Sequence, residues 1–195
     1  MRTAVAFVAL LLSTACASVA PTAPAAPVMR LDTVAARVGP TAAETFAALK
    51  SLAGAWEGVA SNGRTSRVAY RMTAGDSVLV ETWTQSRGRE ALTLYHLDED
   101  GLIATHYCPK GNQVRLRWTG GGPTERCAFE FESGTNLRNV EQSHQHAFWL
   151  TVASTDSFAR GETYVANAAR ADEIAATPPG ETITYRRAPP VPAAG

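Results

Sequence analysis

The sequence has 195 residues, of which 45% are apolar, and its 18 basic side chains balance 18 acidic ones. This length corresponds to about one domain with additional segments, and the apolar fraction is sufficient for one globular core. No basic stripe with interleaved aromatic residues is present, so the charge pattern excludes a nucleic-acid partner.

Residues 1–20 have the pattern of a secretory signal. One basic residue is followed by an apolar run from Ala4 to Leu12, which is too short to span a bilayer, and then by small residues. Two processing outcomes remain open: cleavage before Ser18, or lipidation of Cys16, which would tether the protein to a membrane as a bacterial lipoprotein. Ser13 stands where lipoprotein signals usually carry Leu. Both outcomes predict an exported protein, in the periplasm or anchored to the envelope of a bacterium.

Two segments outside the predicted domain are too poor in large apolar side chains to pack. Residues 21–40 begin with the Pro/Ala spacer "PTAPAAP", which indicates a linker stiffened by its prolines. Residues 188–195 end the chain with the similar composition "APPVPAAG", which indicates a disordered tail. The predicted domain therefore comprises residues 41–187.

One short helix is predicted at the start of this domain. Thr41 and Glu44 have the spacing of a capping box, in which each residue satisfies a backbone N–H of the other. Phe46 and Leu49 form an apolar face, and Gly54 fits just past the helix end. We expect this helix to pack against the rest of the domain.

The remainder of the domain predicts short β-strands. Alternating segments rich in Val, Thr, Tyr and Trp are separated by turn sequences such as "AGDS", "DEDG" and "PKGN". Because closure removes the exposed edges of a meander, ten such strands predict an all-β fold, a single closed antiparallel meander β-barrel. The predicted strands cover residues 55–60, 66–73, 77–85, 90–97, 102–108, 113–118, 126–133, 145–153, 158–166 and 181–187.

The stretch "LAGAWEG" resembles the opening motif of lipocalin-like barrels, the calycin group that includes the nitrobindin-type proteins. The run "YHLDEDGLIATHYCPKGNQVRLRW", with "GTNL" and "HQHAFWLTV", is similar to uncharacterised secreted bacterial proteins of that barrel type. The resemblance implies a fold and a compartment but no activity. It also implies that Arg186 or Arg187, near the end of the last strand, packs over Trp56 and closes the barrel floor.

Two His/Cys pairs are candidates for metal binding. His144 and His146 share one face of a predicted strand, and His106 and Cys108 have the same spacing. Imidazole and thiolate groups bind zinc, so the four side chains would form a complete set of ligands. No carboxylate or loop spacing typical of zinc sites accompanies them, which favours histidines that line a ligand cavity.

No cofactor is predicted, with zinc as the alternative. Nitrobindin-type barrels bind haem through a histidine late in the chain, and the resemblance therefore raises haem as a cofactor. The last predicted strand, "ETITYRRAP", contains no histidine. This departure argues against haem.

Gln113, Arg115 and Arg117 share one face of their predicted strand, opposite apolar residues. If that face points inward, Gln113 and Arg115 would anchor the polar end of a ligand, beside His106 and His146. If the apolar face points inward, the arginines face solvent. We favour the outward orientation for Arg117, and both orientations remain open for Arg115.

The sequence favours a binding protein over an enzyme, because no nucleophile motif of a hydrolase is present. The glycines of "TGGGPT" are followed by a predicted strand and not by the helix that a phosphate loop requires. We predict an exported lipocalin-like barrel that binds a small, largely apolar or amphipathic molecule in its interior. The alternatives are a metal-dependent enzyme or metal carrier that uses the His/Cys pairs, and a structural envelope protein with a filled barrel.

Overall fold

The computed structural model describes residues 39–60, 63–84, 88–99, 101–166 and 182–189. The predicted signal segment with Cys16, most of the linker and most of the tail lie outside these ranges. Within the described ranges, no helix combines the length and the apolarity needed to cross a membrane.

Within the described residues, one α-helix and ten strands follow one another. The helix α1 (Ala42–Leu49) continues into a short 3-10 turn (Lys50–Leu52) before the first strand begins. The strands are β1 (Gly54–Val59), β2 (Thr65–Thr73), β3 (Val78–Thr84), β4 (Glu90–Asp98), β5 (Gly101–Tyr107), β6 (Gln113–Gly120), β7 (Cys127–Thr135), β8 (Gln145–Ser154), β9 (Ser157–Tyr164) and β10 (Thr182–Arg187).

Helix α1 begins at the predicted capping box. The Glu44 backbone N–H donates to Thr41 Oγ1 (3.2 Å), and the Thr41 N–H donates to Glu44 Oε2 (2.8 Å). Phe46 and Leu49 are buried, and the helix packs against β4 and β5. Gly54 starts β1 with a φ of +129°, a conformation that side chains with a Cβ rarely adopt. The predicted short helix is confirmed.

The ten strands form a closed antiparallel barrel. Each strand pairs with the next along the chain, and β1 also pairs with β10, where Trp56 lies opposite Arg187. The predicted meander is confirmed, and the observed strand ends differ from the predicted ones by at most two residues.

The two ends of the barrel differ. We call the end where β1 begins the closed end, because α1 and a dense aromatic core lie there. Trp56 contacts the edge of Phe158 at a centroid distance of 4.9 Å, and Phe158 stacks on Tyr185 at 4.8 Å. The opposite end, where β1 ends and β10 begins, is called the mouth.

Candidate ligand-binding site

Arg187 closes the floor of the barrel. Its guanidinium carbon lies 4.2 Å from the centroid of the Trp56 ring. Its Nη1 donates to the Ala53 carbonyl (3.0 Å) and its Nη2 to the Thr155 carbonyl (2.8 Å), which fixes the guanidinium in place. The other candidate, Arg186, is exposed on the outer surface beside β1. Of the two predicted arginines, the structure therefore places Arg187 over the tryptophan.

Charged side chains meet in the middle of the barrel. Arg160 Nη1 donates to both carboxylate oxygens of Glu81, each at 2.7 Å, and the two side chains are only 2% and 1% exposed. The Tyr95 hydroxyl donates to Glu81 Oε2 (2.5 Å), and Arg160 Nη2 lies 3.4 Å from Glu162 Oε2. We call Glu81, Tyr95, Arg160 and Glu162 the central cluster. It places two carboxylates and one guanidinium inside the barrel.

The central cluster spans the barrel interior, because β3 and β9 are not neighbouring strands. Strand alternation places Arg160 and Glu162 on the same face of β9 as the buried Phe158. On β3 the same alternation turns Glu81 inward, opposite Tyr70 of β2. The ion pair therefore separates the aromatic core of the closed end from the mouth half of the barrel.

Aromatic rings enclose the guanidinium of Arg160. Its central carbon lies 4.6 Å from the Phe148 ring centroid and 5.4 Å from that of Trp83. Arg160 Nε is buried and has no hydrogen-bond partner among the described residues. Burial raises the pKa of the nearby Tyr70 hydroxyl, an effect that the Arg160 charge opposes. A buried N–H without a partner is costly, which marks the cluster as unusual for a barrel interior.

Solvent reaches the mouth side of the central cluster. The Glu162 side chain is 19% exposed, in contrast to the almost fully buried Arg160. Trp83 and Tyr164, which also face inward near the mouth, are half-buried. These side chains therefore contact solvent in the half of the barrel nearer the mouth.

Glu162 is the titratable acid of the cluster. Burial raises the pKa of this carboxyl from 4.5 to about 7, an effect that Arg160 opposes and Glu81 reinforces. Gln145 Nε2 donates to its Oε2 (2.8 Å). The charge of Glu162 therefore changes near neutral pH, where a bound group is able to shift it.

His106 forms part of the interior wall. Its Nδ1 lies 3.1 Å from Thr93 Oγ1, and its Nε2 lies 3.4 Å from the Tyr164 hydroxyl. Burial, with a further contribution from the Arg160 charge, lowers the pKa of His106 to about 3. The imidazole is therefore neutral at physiological pH and engages both ring nitrogens with neighbouring hydroxyls.

The structure places Gln113 and Arg115 on the outer surface. Arg115 Nε lies 2.5 Å from Glu132 Oε2, and its Nη2 lies 2.5 Å from Asp98 Oδ2. Gln113 accepts a hydrogen bond from Thr135 Oγ1 (2.8 Å) on the same face. The apolar residues between them on β6 are buried inside the barrel, and alternation turns the polar face outward. These two predicted ligand-binding residues are not brought into the interior.

His144 and His146 lie at the start of β8, at the rim of the mouth. His144 is fully buried and packs on Phe131, with ring centroids 4.6 Å apart, and the His146 ring lies 5.6 Å from that of His144. Cys108 is a free thiol just after β5. Among the described residues, no group of three or more His, Cys, Asp or Glu side chains is arranged to hold a metal ion. Zinc binding by His106, Cys108, His144 and His146 stays a prediction.

A concave surface lies outside the barrel. This groove has a volume of about 320 Å³ and lies between α1 and the turn that joins β2 to β3. Phe46, Leu97 and Lys50 line it, and it opens to solvent. The residues of the central cluster are not among those that line it.

Sequence reasoning did not identify Glu81, Arg160 or Glu162 as site residues. A signal was present in β9, "SFARGETY", where the large and charged residues alternate with Ala159 and Gly161. Ala159 and Gly161 are too small to fill the barrel interior, so the opposite face of β9, which carries the large and charged side chains, is the one expected to point inward.

Comparison with models of known protein families finds no match to the chain, and a search of curated proteins finds none.

Glu162 and His106 are expected to give the barrel opposite dependences of stability on pH. The folded pKa of Glu162 lies above its ordinary value, so its contribution to the free energy of unfolding is lost as pH rises from 4.5 through about 7. The folded pKa of His106 lies below its ordinary value, so its contribution is lost as pH falls from 6.5 toward about 3.

Urea unfolding at several pH values checks this expectation with Glu162→Gln and His106→Gln. Relative to the wild type, Glu162→Gln should gain stability as pH rises through the window, by at most about 1.4 kcal/mol per pH unit. His106→Gln should instead gain relative stability as pH falls. Each variant is the other's control, and a difference from wild type that does not change with pH in either variant would contradict the assignment.

Proposed function

We propose that this chain is a lipocalin-like binding protein whose barrel takes up a small, largely apolar or amphipathic molecule through the mouth. The closed floor and the solvent contact of Trp83, Glu162 and Tyr164 support an interior site in the mouth half. An occupant there would contact aromatic rings on its apolar part and the central cluster at its polar end. This combination of apolar walls and a few placed polar groups is typical of ligand sites.

The central cluster is the observation on which the proposal depends. Removing a guanidinium and two carboxylates from water costs several kcal/mol per ion, and apolar side chains of similar volume often give equal or greater stability. A barrel with a purely structural role has no need of this arrangement. Buried charges with a shifted pKa in a solvent-reachable interior favour a functional site over a filled barrel.

The proposal includes the lipocalin-like relationship and export. The short helix before β1 and the contact of Arg187 with Trp56 support the relationship. Export depends on the sequence pattern of residues 1–20, with Cys16 as the site of a membrane tether in the lipidated form. Mass measurement of the protein from its envelope fraction distinguishes a cleaved chain from a lipidated one.

Titration with the uncharged dye N-phenyl-1-naphthylamine tests the binding site. The dye should bind saturably with an increase in emission, because it enters the apolar mouth half. Trp83→Leu should weaken binding by about tenfold, since an inward aromatic ring is lost. Trp149→Leu is the matched control, because Trp149 lies on the outer face, where Arg126 covers its ring at 4.9 Å. Absence of saturable binding, or equal losses in both variants, would contradict the proposal.

Native mass spectrometry with elemental analysis then identifies the natural occupant. A small molecule that co-purifies with the protein would support the interior site and define the ligand class. A stoichiometric metal that is lost in His144→Ala and His146→Ala would favour the metal alternative. A protein that carries neither, and does not bind the dye, would favour the structural alternative.

A further inference from the structure

Most of the Arg160 guanidinium is already engaged inside the central cluster. Both carboxylate oxygens of Glu81 already accept from its Nη1, and the rings of Phe148 and Trp83 lie on the guanidinium at 4.6 and 5.4 Å. An anionic head group would have to displace Glu81 to reach it. At the rim, the Lys110 ammonium donates a hydrogen bond to Ser143 Oγ (2.7 Å). Among the described residues, the cation of the central cluster is therefore already paired with a carboxylate.

With the ion pair between Glu81 and Arg160 in place, the central cluster has no net positive charge. Arg160 supplies one positive charge against the carboxylates of Glu81 and Glu162. Burial raises the pKa of Tyr95 and lowers that of His106, so both are neutral. The sum is zero when Glu162 is protonated and minus one when it is ionised. A ligand anion placed here would lose its hydration without gaining a counter-charge.

Glu162 and Gln145, which donates a hydrogen bond to it, both have unused acceptor capacity. The hydrogen bonds that the described residues donate to Glu162 both reach Oε2, from Gln145 Nε2 (2.8 Å) and Arg160 Nη2 (3.4 Å). A carboxylate has about four acceptor sites, so capacity remains at Glu162. Gln145 Oε1 is an independent case, because it is completely buried and has no hydrogen-bond partner among the described residues. Glu162 and Gln145 thus offer acceptors that require a donor.

We propose that the ligand presents a hydrogen-bond donor, best an ammonium group, to Glu162 and Gln145, and that the site discriminates against carboxylate head groups. This inference depends on the proposed function, since it names the polar end of the molecule that the barrel binds. An ammonium has three donors and a compact charge, which match an acceptor pair with one negative charge. A hydroxyl head group supplies one donor and no charge, so its expected affinity lies between those of the ammonium and the carboxylate.

Displacement of bound N-phenyl-1-naphthylamine from the full chain tests the inference with decylamine, 1-decanol and decanoate at neutral pH. These compounds share one alkyl chain and differ in the head group. Decylamine should compete best and decanoate worst, with affinities that differ by about tenfold or more. If decanoate competes best, or the three are equal, the inference is wrong while the binding function stands. If the dye itself does not bind saturably, both are wrong.

The variant Glu162→Gln shows whether the preference depends on this carboxylate. It should lower the affinity for decylamine by about tenfold and leave that for 1-decanol within about twofold, because only the ammonium loses a charged partner. Glu90→Gln is the matched control, since Glu90 is exposed on the outer face of β4, and it should retain the wild-type order. An unchanged preference in Glu162→Gln would overturn the assignment to Glu162. The order of the three affinities measured for the wild-type protein identifies the preferred head group even if Glu162→Gln folds poorly.

Discussion

Replacing Arg160 with methionine is expected to lower the free energy of unfolding by about 3–5 kcal/mol, because one partner of a buried ion pair is removed. Glu81 would stay in the interior, 1% exposed, without the guanidinium that now donates to both of its oxygens. Its contact with the Tyr95 hydroxyl cannot replace a full counter-charge. Urea unfolding followed by tryptophan fluorescence measures the loss.

Two comparisons separate the buried pair from a surface pair. Arg115→Met removes an arginine of the outer face that is 33% exposed, and it should change stability by about 0–1 kcal/mol. The double variant Glu81→Leu/Arg160→Met removes both charges together and should recover most of the loss. Equal effects of Arg160→Met and Arg115→Met would show that solvent already screens the central cluster.

Trp56→Ala is expected to destabilise the barrel by about 3–5 kcal/mol, the cost of truncating a fully buried aromatic side chain. Trp56 is 1% exposed, contacts Phe158, and lies beneath the guanidinium of Arg187. Its Nε1 donates to the Leu52 carbonyl (2.7 Å), which connects the 3-10 turn to the floor. The variant loses all of these contacts at the closed end, and thermal unfolding should show a single transition at a lower temperature.

Matched substitutions establish the origin of that effect. Trp56→Phe keeps most of the apolar volume but loses the hydrogen bond to Leu52, and it should cost about 1–2 kcal/mol. Val59→Ala changes a 63% exposed residue of the same strand and should stay within about 0.5 kcal/mol of wild type. If Trp56→Ala lowered the free energy of unfolding no more than Val59→Ala does, the contacts of Trp56 at the closed end would not contribute to stability as proposed.

The fold was predictable because its signals are local. The turn "AGDS" between β2 and β3 contains Ala74, Gly75 and Asp76, and all three have positive φ angles of 52°, 62° and 64°. Such angles favour glycine and, to a smaller extent, aspartate, which is why turn residues mark the strand ends. The closed meander follows from the number of strands and the cost of an open edge.

The site was not predictable in the same way, because its partners are distant in sequence. Arg160 lies 79 residues from Glu81, and only the register of a closed barrel brings them together. Alternation alone assigns Arg160 to the same face as Phe158 without stating whether that face points inward. On β6 the same ambiguity applies to the orientation of Arg115. The burial of Leu116 shows that the opposite face of the strand points inward.

Closure by the first and last strands also affects how the chain acquires its structure. β1 gains its second neighbour only when β10, which ends at Arg187, is free to pair with it. Until then, β1 and β9 each present a row of unpaired N–H and C=O groups, and the final pairing joins segments far apart in sequence, which slows folding. The folding chain is therefore open to chaperones, and to edge-to-edge association with other chains, until this last pairing forms.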